Sequence, residues 1–274
     1  MIAGRAAVRL PGELPSALSS GDAIAERLED RSLALFLDYD GTLTPIVSQP
    51  EDALLAEEMR DVLRRLAELC TVAVVSGRDR GDVEPLVALD DLVFAGSHGF
   101  DIKGPNLRME HEGGRSCLPD LEAAEGELRA RIEAVPGARV ERKRFAIANH
   151  YRNVAENDVP QVEEAVRDVL GRHPRLRLSS GKKVFELRPD IDWDKGRAVL
   201  WLLEALKLDD SRVLPVYIGD DVTDEDAFAA LQDSGIGIAV GPNERETRAS
   251  YSLADPAEVE RFLALLAERV RERS

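Results

Sequence analysis

Cysteine, aromatic side chains, long apolar runs and positive charge are all scarce in this chain, and most of these shortages exclude something. Only two cysteines, Cys70 and Cys117, occur in 274 residues. They have neither metal-ligand spacing nor the density of a disulfide framework, so they read as two buried thiols in a reducing compartment. No run approaches the ~18 apolar residues of a membrane-spanning helix. The opening MIAGRAAVRLPGELPS is broken by Arg5, Arg9 and Pro11 before a signal-type apolar core can build. A cytoplasmic protein with no membrane partner is expected. Lysine and arginine number 36 against 52 aspartates and glutamates, a net charge of −16 that makes nucleic acid a poor partner. Although aromatics reach only 5%, hydrophobic residues at 44% and charged residues at 32% give the balance of an ordinary soluble globular protein. The length fits one large or two modest domains; a monomer is compatible with it.

Four short apolar runs stand out: Leu33 to Leu37, Thr71 to Val75, Leu92 to Ala95 and Val213 to Ile218. Continuous apolarity over strand length marks strands covered on both faces, the pattern of a parallel sheet. Pro215 inside the fourth run predicts an edge strand or an irregular start, with the strand reduced to Val216–Ile218. Helical periodicity runs over Glu57 to Leu69, Asp194 to Leu206, Asp224 to Leu231 and Asp255 to Val270. Strands alternating with helices give an α/β, doubly wound parallel sheet. The middle differs. A charged helix over Leu118 to Val135, an alternating stretch RVERKRFAIANHYRN, a helix over Val159 to Gly171 and the strand-like RLRLSSGKKVFELRP predict a smaller α+β domain inserted at 117–189. The core then comprises 1–116 and 190–274.

Each core strand is followed at once by polar residues: Asp38, Tyr39 and Asp40 before Gly41, then Ser76-Gly77-Arg78, then Ser97-His98, then Asp220-Asp221. In open α/β sheets the ligand crevice lies beyond the carboxyl ends of the strands, so these groups can converge. Gly41 permits the turn that brings Asp38 and Asp40 together, and with Asp220 they form a like-charge cluster that needs a cation. Hard oxygen ligands with room for water and phosphate suit Mg²⁺, and an ionised aspartate there can attack phosphorus. A calcium loop is a poor rival. It would want glycine sixth and glutamate twelfth, whereas Gly41 is fourth from Asp38 and the twelfth residue is Gln49.

The segments LFLDYDGTLTPIV, VVSGRDR, DKGRAV and YIGDDVTDEDAF resemble, in this order, the four motifs of the haloacid dehalogenase-like phosphohydrolases. With AGSHG, VERKRFAIANHYR and GKKVFELRP added, the chain resembles the trehalose-6-phosphate phosphatases from about Leu33 to Leu266. The resemblance implies a Rossmann-like core with a cap, and a Mg²⁺-dependent hydrolysis of a phosphorylated disaccharide. It makes Asp38 the nucleophile, Asp40 the general acid and then base, Ser76 a phosphate-holding hydroxyl and Lys195 the neutralising cation. Asp220 becomes a direct metal ligand with Asp38 and the backbone carbonyl of Asp40; Asp221 and Asp224 stand behind it. Asp224 could instead cap the following helix. Gly77 and Arg78 are expected to line the phosphate or sugar, and His98 is either a turn residue or a contact to them.

The cap would cover the crevice and read the leaving group. Strand alternation pairs Glu141 with Lys143 and puts Lys182, Val184, Glu186 and Arg188 on one face. The resemblance points to Glu141, Lys143, Arg152, Lys182 and Glu186 as holders of sugar hydroxyls, whereas parity leaves Arg142 and Arg144 to solvent. Asn149 is polar where an apolar residue is usual. Two other phosphate esters, of sucrose and of a glycosyl-glycerate, stay open as substrates under a related cap.

Overall fold

The computed structural model describes residues 9–47, 49–181, 183–242 and 245–273. Along the chain the strands are β1 (Ser32–Leu37), β2 (Thr71–Val75), β3 (Val93–Gly96), β4 (Asp101–Gly104), β5 (Leu107–Glu110), β6 (Arg139–Arg142), β7 (Ile147–His150), β8 (Leu176–Gly181), β9 (Val184–Pro189), β10 (Val213–Gly219), β11 (Ile236–Val240) and β12 (Tyr251–Leu253). They form one sheet in the order β12-β11-β10-β1-β2-β3-β4-β5 and a second in the order β6-β7-β9-β8. From β12 to β3 every neighbouring pair is parallel, and β4 returns antiparallel on β3. The chain divides into two compact units, residues 1–108 with 193–274, and residues 109–192.

In the larger unit, Leu33, Leu35 and Leu37 of β1 join Leu214, Val216 and Ile218 of β10 in one buried cluster. That face is covered by α1 (Gly21–Glu26), α2 (Glu57–Ala67), α3 (Arg80–Val87) and α9 (Pro256–Arg271). Helix α2 shows why: Met59, Val62, Leu63 and Leu66 recur at helical spacing and are all buried, while Glu57 and Glu58 open the helix and Arg64 and Arg65 close it, in favourable sense to the helix dipole. Helix α9 starts on Asp255, whose carboxylate accepts the Glu258 backbone N–H at 2.9 Å. The opposite sheet face carries Tyr217, which meets Phe228 of α8 (Glu225–Leu231) edge-on at 5.7 Å. Helix α7 (Lys195–Ala205) packs beside α8. Helices on both faces confirm the doubly wound α/β class.

Pro215 overturns one expectation. The strand is regular from Val213 to Gly219 and lies in the middle of the sheet, between β1 and β11. Backbone bonds from Ser32 to the Arg212 carbonyl and from Asp38 to the Ile218 carbonyl show that the even-numbered β10 residues address β1. Pro215 therefore turns its missing N–H toward β11, where pairing begins only at Val216 with Ile236. No ladder bond is lost, and the proline is tolerated. Strands β4, β5, β11 and β12 are additional to the four runs read from the sequence.

In the smaller unit, α5 (Leu118–Ile132) and α6 (Val159–Arg172) bury Leu121, Ala124, Leu128, Val162, Val166 and Val169 with Val140, Phe185 and Leu187 of the sheet; the short α4 (Glu112–Ser116) precedes them. Strand β9 alternates between half-buried and buried residues, with Glu186 and Arg188 on the half-buried side. Arg142 departs from the solvent role expected of it. Sharing the helix-facing side with Val140, it donates to the backbone carbonyls of Arg144 and Ala146 at 2.9 and 3.2 Å and lies 3.5 Å from Glu125.

Asn149 is fully buried and stands in one cross-strand row with Val140 and Phe185. Its Nδ2 donates to the Phe185 carbonyl at 3.0 Å and more weakly to that of Ile147 at 3.4 Å. An aspartate would turn a negative oxygen on those carbonyls, so Asn149→Asp is expected to destabilise the smaller unit by at least ~3 kcal/mol, the scale of an unpaired buried charge. Urea unfolding monitored in this unit checks it; a midpoint matching the wild type would show that the carboxamide bond is dispensable.

Candidate active site

Asp38 follows directly on β1, and its backbone N–H still bonds the Ile218 carbonyl at 2.9 Å, so the central strand pair fixes its position. Three residues later the chain turns at Gly41, whose φ of +85° lies in the left-handed region. A Cβ at this glycine would lie 2.2 Å from Asp220 Oδ2, so the missing side chain is what lets Asp220 close on the β1 loop.

Lys195 starts α7 at a helix capped by Asp194, which accepts the Arg197 N–H at 2.8 Å. Its Nζ donates to Asp38 Oδ1 and Asp224 Oδ1, each at 2.7 Å, and all three side chains are almost completely buried. Asp224 is saturated with donors. Besides Lys195, its Oδ1 accepts the Tyr217 hydroxyl at 2.6 Å, and its Oδ2 accepts the Asp221 N–H at 2.8 Å. Its carboxylate makes no cap for α8, the role its sequence position left open.

Asp38, Asp220 and Asp224 offer ligand atoms that all lie within 4.8 Å of one another. Burial, with the Asp224 and Asp220 charges added, raises the Asp38 carboxyl well above its ordinary range, against the opposing pull of Lys195. Burial followed by Asp224 and Asp221 pushes Asp220 up to about 7. Burial alone would lower Lys195, but Asp224 and Asp38 hold it above its usual value and it stays an ammonium. One ammonium thus faces three crowded carboxylates. The set fits a hard divalent cation: oxygen donors only, an excess of negative charge and a glycine cradle against Asp220. Because both Asp224 oxygens already accept hydrogen bonds, Asp38 and Asp220 are the side chains best placed as direct ligands.

Asp40 stands outside that carboxylate group, contrary to the cluster read from the sequence. Its two oxygens take a bidentate fork from Arg78, Nε to Oδ2 at 2.6 Å and Nη2 to Oδ1 at 2.5 Å. Asp221 is half exposed; it accepts the Val222 N–H at 2.7 Å and lies 3.5 Å from Arg245. Ser76, buried at the end of β2, accepts the Arg78 N–H on its Oγ at 3.1 Å. His98 sits in a turn where Ser97 and His98 both have positive φ, +50° and +57°. Its N–H donates to the Ser76 carbonyl at 2.8 Å, and its ring lies against Gly77, where an added Cβ would stand 2.9 Å from Cε1.

In the smaller unit, Glu141, Ala148, Glu186 and Ser179 form one cross-strand row. Lys143 Nζ donates to Glu186 at 2.9 Å, and His150 Nε2 meets Glu141 at 2.7 Å. Arg152 is exposed in the turn after β7. Lys182 lies outside the described residues. Sequence reasoning missed Tyr217 and His150. A tyrosine in an otherwise aliphatic central strand is a signal, since its buried hydroxyl must find a partner. For His150 the signal is strand parity with Glu141.

The trehalose-phosphatase family profile matches residues 36–257. Trehalose 6-phosphate phosphatase RA3 of Zea mays is 44% identical over 271 residues, covering 93% of this chain and 75% of its own. Trehalose-phosphate phosphatase B of Arabidopsis thaliana is 42% identical over 266 residues, covering 93% and 71%. The C-terminal domain of trehalose-6-phosphate phosphatase of C. albicans, 24% identical, superposes with a TM-score of 0.79 over 93% of this chain and 99% of that one, a likeness of fold.

The raised carboxyls carry a pH signature. A carboxyl shifted up on folding, as Asp220 is from 3.8 to about 7, binds more protons folded than unfolded across that window, so stability falls as pH rises through it. In chelator, the melting temperature should drop between pH 5 and pH 8 by at least ~3 °C, about 1 kcal/mol for a chain of this size. Saturating divalent cation should flatten the dependence. Melting curves at both pH values, with and without cation, check it; identical slopes would mean that the cluster carries no uncompensated charge.

Proposed function

This chain belongs to the trehalose-phosphatase family, and from that membership we propose that it hydrolyses trehalose 6-phosphate to trehalose and inorganic phosphate through a phosphorylated Asp38. The observation that carries the mechanism is the buried contact of Lys195 with both Asp38 and Asp224 at 2.7 Å. An aspartate held by one bond to an ammonium, at the end of a rigid central strand, is oriented for attack and cannot rotate away. The relatives matched by sequence do not favour the sucrose-phosphate or glycosyl-glycerate alternatives.

The steps follow from the residues. Asp38 attacks phosphorus, and the bond from phosphorus to the sugar oxygen breaks. Asp40 supplies the proton that this oxygen needs to leave as a neutral hydroxyl. Asp40, now a carboxylate, takes a proton from water, which attacks the aspartyl-phosphate and frees Asp38. Lys195 keeps a positive charge beside the oxygens throughout, and the Ser76 hydroxyl is offered to the phosphate. Mg²⁺, the cation we assign to Asp38, Asp220 and the Asp40 carbonyl, supplies when bound the positive charge under which an anionic nucleophile and a phosphate dianion can approach. Asp221 and Asp224 support it from behind. Glu141, Lys143, Arg152, Lys182 and Glu186 of the smaller unit are assigned to the sugar hydroxyls, and a cytoplasmic setting belongs to the same proposal.

Asp38→Asn should stay folded and lose turnover of trehalose 6-phosphate altogether, since an amide is no anionic nucleophile; phosphate release near the wild-type rate would remove the covalent mechanism. Exhaustive chelation should silence the wild type, and added Mg²⁺ should restore it.

Glu186→Ala tests the sugar. Losing charge-assisted hydrogen bonds of roughly 1.5–3 kcal/mol each should lower kcat/KM on trehalose 6-phosphate at least about tenfold. Hydrolysis of a small aryl phosphate should change little, and equal losses on both substrates would make Glu186 a structural residue.

A further inference from the structure

Resting on the acid/base role given to Asp40 above, we infer that Arg78 is the positioning residue of that carboxylate, acting through Asp40 rather than on the substrate. Both Asp40 oxygens are held by the planar guanidinium fork at 2.5 and 2.6 Å, a geometry that fixes the plane of the carboxylate as well as its place. Arg78 is itself held on several sides. Its guanidinium lies 5.4 Å from the centroid of the fully buried Tyr39 ring, whose hydroxyl is tied to the Ala53 carbonyl at 2.7 Å. Its own N–H donates to Ser76 Oγ at 3.1 Å, and its carbonyl accepts the Ser97 N–H at 2.6 Å.

That last bond comes from the Ser97–His98 turn, two consecutive non-glycine residues at positive φ. Such residues are strained and persist where the surroundings over-determine them. The same turn returns the His98 N–H to the Ser76 carbonyl, so β2's terminal loop is clamped at Ser76 and at Arg78 by one strained element. A chain of contacts thus runs from the turn through Arg78 to the proton-transfer group, and with 39% of the Asp40 side chain still exposed the fork leaves it within reach of the sugar oxygen or the water.

Leaving-group chemistry separates this role from substrate binding and from simple support. Cleavage of 4-nitrophenyl phosphate needs no proton on the departing phenolate, whereas the alkoxide of a sugar phosphate does, and breakdown of the phosphoenzyme needs a base with either substrate. For Arg78→Met the first-turnover release of nitrophenolate should stay within about threefold of wild type. Its steady-state rate and the turnover of trehalose 6-phosphate should both fall at least about tenfold, so that a burst of nitrophenolate appears. Arg78→Lys, which keeps the charge but not the fork, should show the same burst, and circular dichroism verifies that either variant is folded.

A first-turnover rate that falls in step with the steady state, or a raised KM on both substrates, would mean that Arg78 touches the phosphate or holds the fold, and the inference fails. Unchanged turnover of the sugar phosphate overturns it as well. Asp40→Asn is the control: if it keeps turnover, the acid/base reading itself is wrong, whereas if it loses turnover and Arg78→Met does not, only the role given to Arg78 falls.

Discussion

The ammonium of Lys195, buried between two carboxylates, is the constraint around which the larger unit is arranged. Taking three charges out of water is costly and is offset only when the geometry is good and the remaining oxygens are satisfied. Each requirement is met by a different element. The end of β1 supplies Asp38 and the first turn of α7 supplies Lys195. The turn before α8 supplies Asp224, which β10 supports through Tyr217 and through the Asp221 amide just beyond the strand. Four segments scattered over most of the chain are thereby brought to one point, and the parallel order of β1 and β10 is what makes the meeting possible.

The polar residues that converge beyond the sheet were partly legible in the sequence because a parallel sheet buried on both faces leaves its polar residues to the strand ends. Asp38, Ser76 and Asp220 needed no more than that rule, whereas Lys195, which opens α7 and directly follows no strand, came only from the family resemblance. What the rule cannot give is partner choice. Asp40 was grouped with the other carboxylates because it is two residues from Asp38, but a guanidinium 38 residues away claims it. Asp224 carried two readings because an aspartate before a helix is a good cap whenever nothing stronger is near, and here an ammonium and a phenol are nearer. Pro215 misled for a related reason: local propensity forbids a lost N–H, whereas the ladder register decides whether any bond was there to lose.

In the smaller unit the period-two alternation was enough to sort one sheet face from the other, and it places Glu141 and Glu186 in one row. Alternation does not say which charged groups on a face will pair, so the contact of Lys143 with Glu186 and of His150 with Glu141 had to come from the fold. It also misjudged Arg142, whose long side chain on the helix side reaches backbone carbonyls of its own hairpin instead of water. Asn149 reads as an exception to the apolar rule, yet in place it bonds a neighbouring strand, which an aliphatic residue could not do.

The pairing of β1 with β10, Ser32 opposite Val213, joins strands separated by the whole of the smaller unit. During synthesis β1 leaves the ribosome with the edge that will receive β10 unpaired, and it stays so until residue 219 has followed. The smaller sheet, whose strands pair within Arg139–Pro189, becomes complete in that interval. Asp38 and the ammonium that bonds it are made at opposite ends of the same delay, Asp38 early and Lys195 late. A chain cut short anywhere before α7 therefore carries the Asp38 carboxylate without the ammonium that bonds it, and translation itself withholds the buried pair until α7 has been made.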